Sequence, residues 1–456
     1  MPMARANSGC FRVTDFFPSR KRVATSQQDE YCGKRRRLSG SELEEVPQPQ
    51  GYIVELLPPL LQEELFAIFS VESLIRLWYT SPGTRESLVA YFRTRRFKDR
   101  MVADLASCPA DLARKNDMSN PCRRYGDLLK LMSISEHTED RIELLCEYVE
   151  YGMNIAHFQQ WGAVITSFCD YWDFGLCIGL LRKVLSWRDG WIRKEVVAVL
   201  GDPHGENPDA EMLVNQILRD LFIDREFCDR QSQVFWTTTL LYELSTKATR
   251  AKLLLILFQT PKKTTSGREF LDWQELSSLP FATRRDAETG LSRLSEAFEL
   301  LLDTELLSGS GDGLLTLSTG EVFNLLEETT TTPAPWCLDN FIALHLVSPR
   351  LFAVSCLPRL KNGHFDETAE MLANISSLAI NWRFDYWGQF GTHLEQLLKA
   401  MEPDVCKQLV GAIYKAMGSL VTDAFREGRA AQINHEVAAH TKISISLQRI
   451  ISKLVI

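Results

Sequence analysis

The side chains best suited to chemistry in this 456-residue chain are its eight histidines and eleven cysteines. A hydrolytic metal site wants two histidines four apart on a helix with a third ligand near, and a structural zinc site wants paired cysteines. Neither pattern occurs, because the cysteines fall singly with no CxxC and no histidine pair has that spacing. His157, His345 and His393 lie in helical stretches and read as core or surface histidines. Cys169 and Cys177, set among Phe168, Trp172 and Phe174, read as small buried residues rather than nucleophiles. There is no GxxxxGK(S/T) phosphate loop, no GxSxG elbow, no HExxH and no glycine-rich dinucleotide loop. The threonines Thr329 to Thr332 read as a polar linker. The expectation is a protein that binds without catalysing, with no cofactor and no metal.

Charge is distributed unevenly. The formal net charge is −8, yet residues 1–40 hold nine Lys/Arg against three Asp/Glu, so a head of +6 precedes a body of −14. An acidic body disfavours sequence-specific or broad duplex binding, since neutralising phosphates needs clustered Lys/Arg. Single cysteines suit a reducing compartment. The longest strongly apolar run, Leu253 to Phe258, is far below the ~18 residues of a membrane span. The polar, basic N-terminus lacks the apolar stretch of a signal peptide. These features predict a soluble, intracellular protein.

The elements that would position any site are helices. Residues 1–50 are rich in Ser, Arg, Gln and Pro without periodicity, and read as a disordered basic tail. Beyond Tyr52 apolar residues recur at helical spacing. Val405, Leu409, Ile413, Ala416, Leu420 and Ala424 mark one face of a single helix, and similar stripes run through 141–151, 155–169, 212–222, 234–244, 291–302, 368–380 and 394–401. Loops are expected at Gly201–Pro208, Pro261–Gly267, Ser308–Gly313 and Thr329–Pro335, and a short strand at Leu314–Leu317. Ser318 with Glu321 three residues on fits a capping box. No strict repeat period is visible, although the rhythm permits an irregular solenoid. The fold class is all-α: a disordered tail over 1–50, a three-helix segment over 51–94 and a large irregular, solenoid-like helical domain over 95–456. The tryptophans, among them Trp161, Trp187, Trp236 and Trp273, read as core and inter-helix wedges.

The segment 52–94 carries the most functional information. Leu57-Pro58 opens a short helix bearing Leu61, Leu65, Ile68 and Phe69; Ser70 to Ser73 leads into a second with Leu74, Leu77 and Trp78; Leu88, Val89 and Phe92 mark a third. Three short helices cannot bury all their own apolar surface, so another chain or the following domain must cover it. The pattern resembles an F-box, the module of about 40 residues that docks on the Skp adaptor of SCF (Skp–cullin–F-box) ubiquitin ligases. Further along, Phe235 to Pro261, Trp273 in its Leu-Asp-Trp-Gln-Glu-Leu setting, Pro333 to Ser355 and Asn362-Gly363 are similar to the F-box only protein 47 family. That resemblance covers about residues 52 to 440. It implies a non-catalytic substrate-recognition subunit whose partners are the Skp adaptor, the cullin and a protein substrate, linked to germline cells and meiotic chromosomes. The nine apolar residues from Leu57 to Trp78 would then be the adaptor contacts. A helical scaffold that binds chromosome or clamp proteins outside any ligase is the alternative.

Two short motifs occupy the basic head. Arg20-Lys21-Arg22 and Lys34-Arg35-Arg36-Arg37, eleven residues apart, resemble a bipartite nuclear import signal read by an import receptor. Val13, Thr14, Asp15, Phe16, Phe17 and Lys21 resemble the peptide that docks on the PCNA sliding clamp, with Val13, Phe16 and Phe17 as apolar plugs. Cys10 stands where that peptide carries glutamine, so the amide contacts are lost.

Overall fold

The computed structural model describes residues 53–115, 119–170, 172–224, 230–304, 307, 317–384, 387–399 and 401–454. The import-like and clamp-like motifs lie outside this set. After a single turn of tight helix at Ile53–Leu56 come α1 (Pro59–Ile68), α2 (Val71–Trp78), α3 (Pro82–Phe92), α4 (Arg95–Ser107), α5 (Ala110–Arg114) and α6 (Pro121–Met132). Next are α7 (Thr138–Gly152), α8 (Phe158–Cys169), α9 (Phe174–Leu185), α10 (Trp187–Gly201) and α11 (Pro208–Leu218), the last running into a wider turn at Arg219–Ile223. Then follow α12 (Arg230–Tyr242), α13 (Lys247–Phe258), the hairpin strands β1 (Lys262–Lys263) and β2 (Glu269–Phe270), α14 (Glu275–Ser278), α15 (Arg284–Leu302) and α16 (Thr319–Thr331). The chain closes with α17 (Leu338–Val347), α18 (Arg350–Lys361), α19 (Phe365–Asn381), α20 (Trp387–Lys399), α21 (Pro403–Arg426) and α22 (Ala430–Leu454).

From α13 onward, α14 apart, each helix packs on the helix two places ahead. One row runs α13, α15, α17, α19, α21 and the other α16, α18, α20, α22, with α15·α16, α17·α18 and α21·α22 joining the rows. This is the two-layer stacking of a helical solenoid, in which no repeat buries its apolar face alone. Two hydrophobic clusters result, one reaching from Phe66 to Val354 and one from Ile342 to Ile450. They meet on α17 and α18: Ala343, Leu344, Leu351 and Val354 face the first, while Ile342, Leu346, Phe352 and Cys356 face the second. Helices apolar on all sides belong inside such a stack. The chain enters α10 through three successive left-handed residues, Arg188 (φ 50°), Asp189 (φ 57°) and Gly190 (φ 76°), so the regular helix begins only at Trp191.

Several sequence expectations need correction. Thr329–Thr331 are not linker but the last turn of α16, and Thr329 and Thr330 are buried. Their hydroxyls donate to the carbonyls of Leu325 (2.7 Å) and Leu326 (2.9 Å), which lets polar side chains occupy apolar surroundings. Residues 261–270 form a two-stranded hairpin instead of plain loop. The strand expected at Leu314–Leu317 falls outside the described residues except for Leu317. By contrast, Ser318 and Glu321 form the reciprocal capping box, and the 405–424 stripe lies on one continuous helix. Every tryptophan with a described side chain is buried or half-buried.

Candidate adaptor-docking surface on the first three helices

Local signals fix the three helices. Pro59 begins α1, where a missing N–H costs nothing. Ser70 and Ser81 cap α2 and α3 by accepting from Ser73 N (3.2 Å) and Thr84 N (3.1 Å). Glu55, in the turn before α1, accepts from Thr84 N (3.0 Å) and from the Ser81 hydroxyl, placing a carboxylate at the N-terminus of α3. Gln62 donates to the carbonyls of Val54 (2.9 Å) and Leu57 (3.0 Å) and so ties α1 to that turn.

The rest of the chain then clamps one side of this unit. Arg100 of α4 donates to the carbonyls of Phe66 (3.1 Å), Ala67 (3.2 Å) and Phe69 (2.5 Å) at the end of α1. Arg96 grips Glu64 with two bonds, at 2.6 and 2.9 Å, and this hydrogen-bonded guanidinium lowers the Glu64 carboxyl pKa. Arg124 of α6 pairs with Glu72 of α2 at 3.1 Å. Between them the rings of Phe66, Tyr91, Phe92, Phe97, Tyr125 and Tyr148 form a chain of aromatic contacts with centroids 4.8–6.2 Å apart, running from α1 into α7. Only Arg93 and Thr94 separate α3 from α4.

Other apolar side chains of this unit are exposed. Leu56, Leu60, Leu61, Ile68 and Tyr79 are 70, 73, 51, 80 and 68% exposed. Of the nine residues the sequence nominates, Pro58, Leu61 and Ile68 are exposed, and Leu57, Leu65, Phe69 and Leu77 are half-buried. Leu74 and Trp78 are 0 and 8% exposed and belong to the core of the free chain. Sequence reasoning passed over Leu56, Leu60 and Tyr79. A signal was present: Pro-Leu-Leu-Gln-Glu-Glu-Leu-Phe-Ala-Ile carries apolar residues on more than one face, whereas its only fully buried side chain is Phe66.

The residues able to do chemistry are placed differently. His345 is fully buried, with Nδ1 2.9 Å from the Phe341 carbonyl and Nε2 2.8 Å from Ser355 Oγ, and burial pulls its pKa down to about 4. Cys177 Sγ donates to the Cys169 carbonyl at 3.7 Å, and burial holds the Cys169 thiol well above its ordinary pKa, the opposite of an activated nucleophile. His157 and His393 are half-buried. Among the described residues no group of three His, Cys, Asp or Glu side chains is placed to hold a metal ion, and no helix is long and apolar enough to cross a membrane.

A three-helix head presenting apolar surface, fused to a helical-repeat body, defines a class of binding proteins. The family description "FBXO47, ARM repeats" matches residues 188–456, more than half of the chain and the part in which the alternate-helix stacking runs. The chain belongs to the FBXO47 family of F-box proteins. No curated protein and no solved structure matches it.

Proposed function

We propose that this chain is the substrate-recognition subunit of an SCF-type ubiquitin ligase. The observation that carries this reading is the set of exposed apolar residues Leu56, Leu60, Leu61, Ile68 and Tyr79 in and around α1 and after α2 of an F-box-family chain. The Skp adaptor would cover that set and link it to the cullin. Catalysis then belongs to the ligase, and this chain works by proximity, raising the local concentration of substrate near the charged ubiquitin carrier. Binding of the Skp adaptor by a Leu60→Ala, Leu61→Ala, Ile68→Ala variant tests it. Burying each of these side chains is worth about 1.5–3 kcal/mol, so the triple variant should lose at least about a hundredfold in affinity. Unchanged affinity defeats the reading.

The proposal extends to place and setting. The two basic clusters support nuclear import, and the family resemblance supports a role with meiotic chromosomes. Replacing Lys34 to Arg37 should leave a reporter fusion in the cytoplasm. The PCNA contact rests on Val13, Phe16 and Phe17, and a Phe16→Ala, Phe17→Ala variant with unaltered clamp binding retires it.

A further inference from the structure

A hollow the size of one side chain lies in the helical body, far along the chain from the adaptor-docking residues. The last turns of α12, the first turn of α13 and the start of α16 enclose a cavity of about 120 Å³. A cavity of ~150 Å³ accepts a benzene molecule, so this one fits a single leucine or methionine side chain. Its apolar lining is Leu241, Leu317 and Leu325. Thr238 also lines it, 1% exposed, and its Oγ1 has no hydrogen-bond partner. The next residue, Thr239, returns its hydroxyl to the Phe235 carbonyl at 2.7 Å in the usual way of helical threonines.

The rim is cationic. Lys247 and Arg250 stand on the first turn of α13; among the described residues neither is in an ion pair, while Arg250 donates its Nε to the Leu244 carbonyl at 2.9 Å and its charge acts on Glu321 across the rim. The N-termini of two helices, α13 capped by Thr246 and α16 capped by Ser318, add partial positive charge. The one acidic side chain on the rim, Glu321, is occupied by its capping box, accepting from Ser318 N and Oγ, each at 2.8 Å. An apolar floor and a rim carrying Lys247 and Arg250 match a ligand with one aliphatic side chain beside a negative charge.

We propose that this cavity anchors the substrate: an acidic peptide segment inserts one leucine- or methionine-sized side chain beside Thr238 and sets a neighbouring carboxylate against Lys247 and Arg250. This deepens the receptor reading above and rests on it for the word substrate. The test pans a displayed library of random 12-residue peptides against the immobilised full chain, and separately measures Skp-adaptor affinity. Enriched peptides should carry Leu, Met or Ile within two positions of Asp or Glu. The best of them, made synthetically, should bind at least tenfold more weakly to a Lys247→Glu, Arg250→Glu variant, and to Thr238→Leu, which fills the hollow. Each variant should keep wild-type adaptor affinity, and Thr238→Leu the wild-type unfolding midpoint. If Thr238→Leu fails to fold, the charge-reversal variant decides alone. A library without binders, enrichment without acidic bias, or charge reversal that leaves peptide affinity intact overturns the proposal. A wild-type chain that binds these peptides but ignores the adaptor defeats the ligase reading and leaves the peptide site standing.

Discussion

Replacing Leu74 by alanine should weaken the three-helix unit without altering its docking face, while replacing Ile68 should do the reverse. Leu74 is 0% exposed in a core whose members Phe66, Leu88 and Phe92 are also fully buried, whereas Ile68 is 80% exposed. Truncating a buried leucine costs about 2–5 kcal/mol, part of it transfer and part the cavity left behind. Rigid aromatic neighbours collapse poorly into such a space, which places Leu74→Ala at about 3–4 kcal/mol. Ile68→Ala removes little buried area in the free chain, since Ile68 is 80% exposed, so its stability should change by less than about 0.5 kcal/mol. In the complex it forfeits about 1.5–3 kcal/mol of burial, roughly tenfold to a hundredfold in adaptor affinity. Urea unfolding with hydrogen exchange on α1–α3 reads the first effect, and calorimetric titration with the adaptor reads the second. If Leu74→Ala leaves stability untouched, or Ile68→Ala lowers it while adaptor affinity holds, the division between holding and docking residues is wrong.

Three further outcomes follow from named contacts. Arg100→Met keeps most of the side-chain bulk but strips the carbonyls of Phe66, Ala67 and Phe69 of their donor; charge-assisted bonds of this kind are worth about 1.5–3 kcal/mol, so α1 amides should exchange faster while those of α8 do not. Gly126 lets α6 approach α8 so closely that an added Cβ would press on the Val164 carbonyl and lie 2.7 Å from Ser167 Cβ. Gly126→Ala should therefore lower the unfolding midpoint, by about 1–3 kcal/mol for overpacking of this type, and an unchanged midpoint contradicts that close approach. His345 titrates near 4 when folded and near 6.5 when unfolded, so the unfolded chain binds more protons between those values. Its contribution is complete above pH 6.5 and is lost as pH falls toward 4. His345→Gln, which can keep the polar contacts but does not titrate, should flatten the pH dependence of the midpoint across that window.

Periodicity revealed the helices because a stripe such as Val405 to Ala424 needs only local spacing, and the Ser318–Glu321 cap needs only three residues. What local spacing could not supply was the identity of each partner face. Leu74 and Ile68 are equally apolar in sequence, and only the clamp of Arg96, Arg100 and Arg124 on one side decides which is enclosed. Thr329 and Thr330 read as linker because their polarity hides a hydroxyl that bonds within its own helix. The repeat architecture was hard to see for a related reason: α17 and α18 each send apolar residues into both clusters, as a stack requires, so no single stripe marks the period. The cavity beside Thr238 is contributed by α12, α13 and α16, segments some 80 residues apart, and no local pattern announces it.

The central claim is that the head docks on a ligase adaptor while the body is left free for substrate. Co-expression of the full chain with the Skp adaptor, then light scattering on the size-exclusion peak with and without the cullin, tests it most directly. The account predicts an equimolar complex that gains the cullin as a third equimolar member and loses both partners in the Leu60→Ala, Leu61→Ala, Ile68→Ala variant. A folded, monodisperse chain that elutes apart from the adaptor would contradict it and make the three helices simply the first layer of a scaffold.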